Sequence, residues 1–162
     1  MENAASNTRE KALALNLDAT TYGTFAEIGA GQEVARWFFS VGGAAGTVAK
    51  TISAYDMAVS TELYGATQRY VSRQRLEAML EKEFAELLER LASGRGDSKR
   101  FFVFADTAAT RSYGKPENGR GWLGIRFQAE PRQESSEIIV HAHLSDSLRL
   151  VSKKRWASLE SI

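Results

Sequence analysis

The chain has no cysteine. That absence removes disulfides, thiolate catalysis and cysteine-ligated zinc or iron–sulfur centres together, and it is compatible with a reducing cytoplasm. Histidine is scarce, with only His141 and His143. No stretch reaches the roughly 18 consecutive apolar residues needed to cross a bilayer. No charged-then-apolar leader is visible either, since Met1 to Asp18 carries Glu2, Arg9, Glu10 and Lys11 around the short run Ala12 to Leu17. Net charge is +1, so no field of one sign covers the molecule, whereas dedicated nucleic-acid binders usually show a strong basic excess. No lysine sits in a Walker-type loop and no serine in a nucleophile elbow. A soluble, cytoplasmic protein with no membrane role and no strong nucleic-acid signal is expected.

What is present is ordinary for a globular domain. With 162 residues, 43% apolar and 25% charged, the chain is long enough to bury roughly two thirds of its unfolded surface around one core.

Its most distinctive stretch is Tyr22 to Phe39, which reads as a strand, a glycine turn and a helix. Ahead of it, residues 1–7 look like a frayed end and Thr8 to Leu17 like a short helix, with Ala12, Leu15 and Leu13 as its inward candidates. Tyr22 to Ile28 has the aromatic and β-branched content of a strand. Val34, Trp37, Phe38 and Val41 then recur at helical spacing over Gln32 to Val41, with Glu33 in the first turn. Gly42 and Gly43 close that helix, and Thr47 to Tyr55 reads as a second strand, completing a βαβ unit. Asp56 to Tyr64 predicts a helix stopped by Gly65.

The clearest periodicity follows. Leu76, Met79, Leu80, Phe84, Leu87, Leu88 and Leu91 repeat at three and four, an amphipathic helix with Ser72 as N-cap, Gly94 as its stop and i,i+4 pairs Lys82–Glu86 and Glu86–Arg90 on the wet face. Phe101 to Phe104 reads as a buried strand ending at Asp106. Residues 114–121 predict a turn, and Trp122 to Gln128 and Glu137 to Leu144 two further strands. The order predicts an α/β or α+β fold: a βαβ start with a glycine loop, a long amphipathic helix, then a three-strand meander in a mixed sheet.

Several clusters have chemistry to offer. Glu27-Ile28-Gly29-Ala30-Gly31 has the form of the acidic-x-Gly-x-Gly turn of Rossmann-like folds, including methyltransferases that bind S-adenosylmethionine. Glycines there permit positive φ and close approach of a ligand, and the following helix points amides at it. Asp56, about 25 residues past Gly31, stands where an acid accepts ribose hydroxyls. The third glycine is missing, and Glu33 would repel a pyrophosphate, though adenosylmethionine, lacking phosphate, would suffer less. Glu27, Gly29, Gly31 and Asp56 are thus the candidate binding residues, for a small-molecule, nucleotide-type ligand; no cofactor is named. The alternative is a structural turn.

His141 and His143, one residue apart on a strand, face one side, with Asp146 as the nearest acid, yet without a fixed third ligand no metal site is expected. Asp106, with Thr107, Thr110 and Arg111, offers a polar group at a strand end or a capped turn. Arg69, Arg73, Arg75 and Tyr70 form a basic-aromatic group that reads first as solvated charge.

Two resemblances add to this. Gly23-Thr24-Phe25 is similar to the opening of the nucleotidyltransferase signature that continues Asp-Pro-x-His-x-Gly-His; here Ala26, Glu27 and Ile28 follow, without the histidines that stabilise the transferring phosphates. More broadly, Tyr22 to Phe39 with Arg100-Phe101-Phe102-Val103-Phe104-Ala105-Asp106-Thr107 and Gly121-Trp122-Leu123-Gly124-Ile125-Arg126-Phe127-Gln128 resembles a family of longer, uncharacterised bacterial proteins. Automated labels there include TonB-dependent receptor and nicotinate-nucleotide adenylyltransferase. An outer-membrane receptor needs an export signal and barrel strands, and the transferase needs its histidines.

The resemblance spans about residues 10–146 and implies a single domain over 1–146, an N-terminal fragment of a longer protein, with 147–162 a non-family tail. Where the family resembles Gln-Gln-Glu-Ala-Leu-Gly, this chain has Ser152-Lys153-Lys154-Arg155-Trp156-Ala157, and one set of codons read a base out of frame yields both. A frameshift is therefore the expectation for the tail. For function, an α/β domain with a small-ligand site at the glycine loop is expected; the alternative is a non-catalytic interaction or scaffold domain.

Overall fold

The computed structural model describes residues 4–110 and 118–143; Arg111, Asp146 and the tail lie outside them. Along the chain run α1 (Ala4–Asn16), β1 (Thr21–Gly29), α2 (Val34–Phe39), a 3₁₀ turn (Ala44–Gly46), β2 (Val48–Ala54), α3 (Met57–Tyr64), α4 (Arg73–Arg95), β3 (Arg100–Ala109), β4 (Arg120–Phe127) and β5 (Ser136–His143). The strands make one five-stranded sheet in the order β2-β1-β3-β4-β5. β1 lies parallel to β2 and β3, and β3, β4 and β5 form an antiparallel meander. The expected βαβ start, long helix and meander in a mixed sheet are present, in an α+β fold. Among the described residues the sheet is open, unlike a receptor barrel, and no helix is long and apolar enough to cross a membrane.

β1 is the central parallel strand, and Gly23 to Ile28 are buried without a break, as expected of a strand covered on both faces. On one face α4 lays Leu76, Met79, Leu80, Phe84 and Leu87 over Ala26, Ile28, Phe101, Val103 and Ala105. Ser72 caps this helix, its Oγ accepting from Arg75 N at 3.1 Å. The helix passes Gly94 and ends at Arg95, where Gly96 N–H reaches Ala92 O at 2.9 Å. An exposed glycine costs a helix only about 1 kcal/mol, too little to stop one already anchored by five buried side chains.

Arg75 departs from its expected place in solvent. It is 1% exposed, packs 5.4 Å from the Tyr70 ring and donates to Gly65 O at 2.5 Å, while Arg73 stays outside and pairs with Glu77 at 2.8 Å. A second buried charge ties β2 and α3 to α4: Glu83 meets Lys50 Nζ at 2.5 Å and accepts from Tyr64 O–H at 2.8 Å.

The opposite face holds a smaller core of Phe25, Ala35 and Phe102 with Val34, Phe38 and Phe104 at its margin. α2 spans only six residues, shorter than the predicted Gln32 to Val41. α1 starts earlier than predicted, at Ala4, and buries Ala12 and Asn16 rather than Leu13 and Leu15, which are exposed. Asn16 explains the orientation, since its Nδ2 donates to Phe38 O at 2.9 Å and Gly42 O at 3.0 Å and so docks α1 on the end of α2.

Leu80 is fully buried between α4 and the sheet, so Leu80→Ala is expected to cost about 2–5 kcal/mol in urea unfolding. Ser72→Ala, which removes only the cap, should cost about 1 kcal/mol with the same denaturant slope.

Candidate functional site

The loop after β1 is shaped by the strand beside it. Gly29 has φ +81°, and a Cβ there would stand 2.2 Å from Ala108 O, so both the dihedral and the contact with β3 require glycine. Ala30 N–H donates to the same carbonyl at 3.0 Å. A Cβ on Gly31 would lie 3.1 Å from Asp106 Oδ1. The glycines thus let the loop fold down on β3.

Glu27 is 4% exposed and turns its carboxylate to the start of α2. Oε1 accepts from Val34 N at 2.8 Å and Oε2 from Ala35 N at 3.2 Å. The first-turn amides, which in a nucleotide fold would greet a phosphate, are thereby filled from within. Glu33 occupies the N-cap position without a capping bond and instead lies 3.4 Å from Arg36 Nη1. Gln32 closes the loop from the β2 side: its Nε2 lies 2.9 Å from Glu27 O, 3.0 Å from Gly29 O and 3.3 Å from Ala54 O.

β3 runs on to Ala109, so Asp106 is within the strand rather than at its end. The extension follows from pairing on both sides, with Asp106 opposite Glu27 of β1 and Leu123 of β4. Asp106 is 7% exposed. Burial, then the Glu27 charge and a hydrogen bond to that carboxylate, push its carboxyl up to about 9, against a small opposing effect of the Ile28 amide. The side chain is therefore a neutral acid at pH 7, since two adjacent buried carboxylates do not both ionise. Its Oδ1 is buried with no donor among the described residues.

Asp56 caps α3, its Oδ1 accepting from Ala58 N at 2.8 Å and Val59 N at 3.2 Å. It is exposed and stands two residues beyond Ala54, the register partner of Ile28. Glu27, Gly29, Gly31 and Asp56 accordingly lie along one edge of the sheet, where the parallel strands end. The pairing of Asp106 with Glu27 escapes a sequence reading; its one signal is an acid inside each of the two stretches that become β1 and β3. Thr107 turns to the other face and donates to Tyr70 O at 2.6 Å, and Thr110 is exposed.

His141 and His143 share a face with ring centroids 4.1 Å apart, and His141 stacks on Trp122 at 4.0 Å. Partial desolvation, then the neighbouring His143 and Arg120, lower the pKa of His141. Among the described residues no group of three or more metal-ligating side chains occurs.

No protein-family model and no curated protein sequence matches the chain. Solved structures do. The competence/damage-inducible protein CihA from Agrobacterium tumefaciens is 17% identical with TM-score 0.57, over 94% of this chain and 90% of that one. Competence damage-inducible protein A (ComA) from Klebsiella pneumoniae is 16% identical with TM-score 0.63, over 95% and 90%. A CinA superfamily protein from another Klebsiella pneumoniae strain is 14% identical with TM-score 0.62, over 95% and 91%. At such identities the likeness is one of fold, and the chain shares the fold of competence/damage-inducible proteins.

Proposed function

We propose that this chain is a cytoplasmic binding domain for a small, hydroxyl-bearing ligand of nucleoside type, held at the edge where β1, β2 and β3 end by Glu27, Gly29, Gly31 and Asp56, with Asp106 beneath. One observation carries the reading: Asp106 Oδ1 is a buried polar atom without a hydrogen-bond partner among the described residues, and it lies 3.1 Å from where a Cβ on Gly31 would stand. A buried polar atom left unpaired is costly, and a ligand hydroxyl arriving over Gly31 supplies the missing donor. Both capping bonds of Asp56 fall on Oδ1, which leaves its second oxygen for another hydroxyl, as on a ribose. In sheets of this kind ligands sit outside the carboxyl ends of the strands.

The same geometry selects against phosphate. Glu27 occupies the α2 amides, and its charge repels a second anion there. Adenosine and adenosylmethionine, whose sulfonium suits an acidic edge, fit this site better than NAD, NMN or ATP. Chemistry is a different matter, because Asp106 holds its proton tightly and no histidine of the described residues lies on this edge, so the role is binding. A second reading, a scaffold without ligand, is favoured by the fact that Ala108 and Asp106 by themselves account for Gly29 and Gly31.

A thermal-shift series separates the two. Adenosine or adenosylmethionine at about 100-fold over Kd should add about 2.7 kcal/mol, a rise in Tm of roughly 5–11 °C, with smaller or no shifts for NAD, NMN and ATP. Asp56→Asn, which keeps a competent N-cap, should weaken binding about tenfold or more. No shift with any of these compounds leaves the scaffold reading.

The protonation of Asp106 has its own signature. Its carboxyl titrates near 3.8 in the unfolded chain and near 9 in the fold, so between those values the folded state binds the extra proton. The stability it contributes is complete below about pH 3.8 and is lost as pH rises toward 9. Asp106→Asn removes that titration; in urea melts from about pH 5 to pH 8, the variant should gain on the wild type with rising pH, by at most about 1.4 kcal/mol per unit. A difference that stays constant with pH would mean that Asp106 is ionised in the fold.

A further inference from the structure

The two edges of the sheet are built differently. β2 carries Lys50, Thr51 and Ser53, and its pairing with β1 is interrupted by a register shift between Gly23 and Thr24. A lysine, polar side chains and an irregularity are the devices by which an edge avoids pairing with another chain.

β5 has neither the lysine nor the irregularity. Its eight residues contain no lysine, arginine or proline, and they pair with β4 in unbroken register from Phe127↔Ser136 to Arg120↔His143. Among the described residues no strand lies on its outer side. Side chains alternate along it. Ile138 and Val140 stand beside Ile125 and Leu123 on the face away from α4, with Ile138 54%, Val140 45% and Leu123 37% exposed. Glu137, His141 and His143 occupy the opposite side, where Glu137 is fixed by Arg126 Nη2 at 2.7 Å.

We infer that β5 is a self-association edge: two copies of this chain join by antiparallel pairing of their β5 strands about a two-fold axis, so that one sheet continues through both. The charge pattern selects this arrangement. With Ile139 on the axis, Glu137 faces the partner's His141; with Val140 on the axis, it faces the partner's His143. Either register sets an acid against an imidazole, twice by symmetry, and apolar residues against apolar residues on the other face. An in-register parallel pair would instead set Glu137 beside Glu137 and each histidine beside its like, which is unfavourable. Cross-strand neighbours then cover part of the exposed Ile138 and Val140, and the outward N–H and C=O groups of β5, which pair with no other strand among the described residues, find partners. A one-strand interface is small, so the association is of the weak, reversible class. The inference is independent of any ligand at the glycine loop.

Analytical ultracentrifugation of the full chain over a wide concentration range, with hydrogen exchange of the β5 amides at the same concentrations, tests it. The expected result is a reversible monomer–dimer equilibrium in which β5 protection rises with dimer fraction. Val140→Lys, which installs the charge that natural edges carry, should raise the dimer dissociation constant by about tenfold or more with unchanged circular dichroism. If that variant does not fold, the exchange data on the natural chain decide alone. A monomer at every soluble concentration overturns the inference, as does a dimer indifferent to Val140→Lys. So does β5 protection that is already complete in the monomer, which would mean that the chain covers its own edge.

Discussion

A buried negative charge at the end of the central strand governs the loop that follows it. Glu27 cannot keep its charge inside the protein without donors, and the donors it finds are the amides of Val34 and Ala35. That bond draws α2 back over the end of β1 and fixes the length of the turn between them. The turn in turn descends on β3, which is why Gly29 and Gly31 have no room for side chains. Asp106, directly across the ladder, takes up the remaining consequence by staying protonated.

The two faces of the sheet are stabilised by different means. Beneath α4 the packing is aliphatic and continuous, and two charged groups that enter it have partners there: Glu83 lies against Lys50 and accepts from Tyr64, and Arg75 reaches Gly65 O through Nη2 and packs on the Tyr70 ring. On the other face short elements pack on β1 and β3, and an aromatic group centred on Phe25, with Phe38 at 4.8 Å and Phe102 at 5.5 Å, does the work of a longer helix. Toward β5 that cover ends, leaving Leu123, Ile138 and Val140 exposed. One face is thus a finished core, whereas the other stops short at the edge strand.

Period and punctuation carried most of the fold in the sequence. The α4 stripe, its Ser72 cap, the Gly65 stop and the alternation of β4 and β5 are local signals, and the elements follow them closely. What they could not reveal were directions set by tertiary contact. Arg75 reads as one of three solvated arginines because nothing local marks it as the one facing the core. Gly94 reads as a stop because propensity is blind to the packing that carries α4 past it. At the loop, the glycines and the acid were visible, but the meaning of Glu27 depends on where the amides seven and eight positions later come to rest. The same holds for Asp106, whose neighbour is set by β1–β3 register rather than by spacing along the chain.

That dependence bears on what a glycine-turn motif means. In a dinucleotide fold the helix N-terminus is left open, and its amides and dipole are available to an anion. Here Glu27, near the end of the preceding strand, has taken the anion's place, so the resemblance in sequence coincides with an opposite electrostatic state. The helix end is neutralised, and beside it, among the described residues, stands the unpaired Asp106 Oδ1. On the proposed reading, a loop that offers acceptors in place of donors takes hydroxyls and cations and turns away phosphates. The chemistry of the loop follows from which partner Glu27 has chosen, and the glycines only permit that choice.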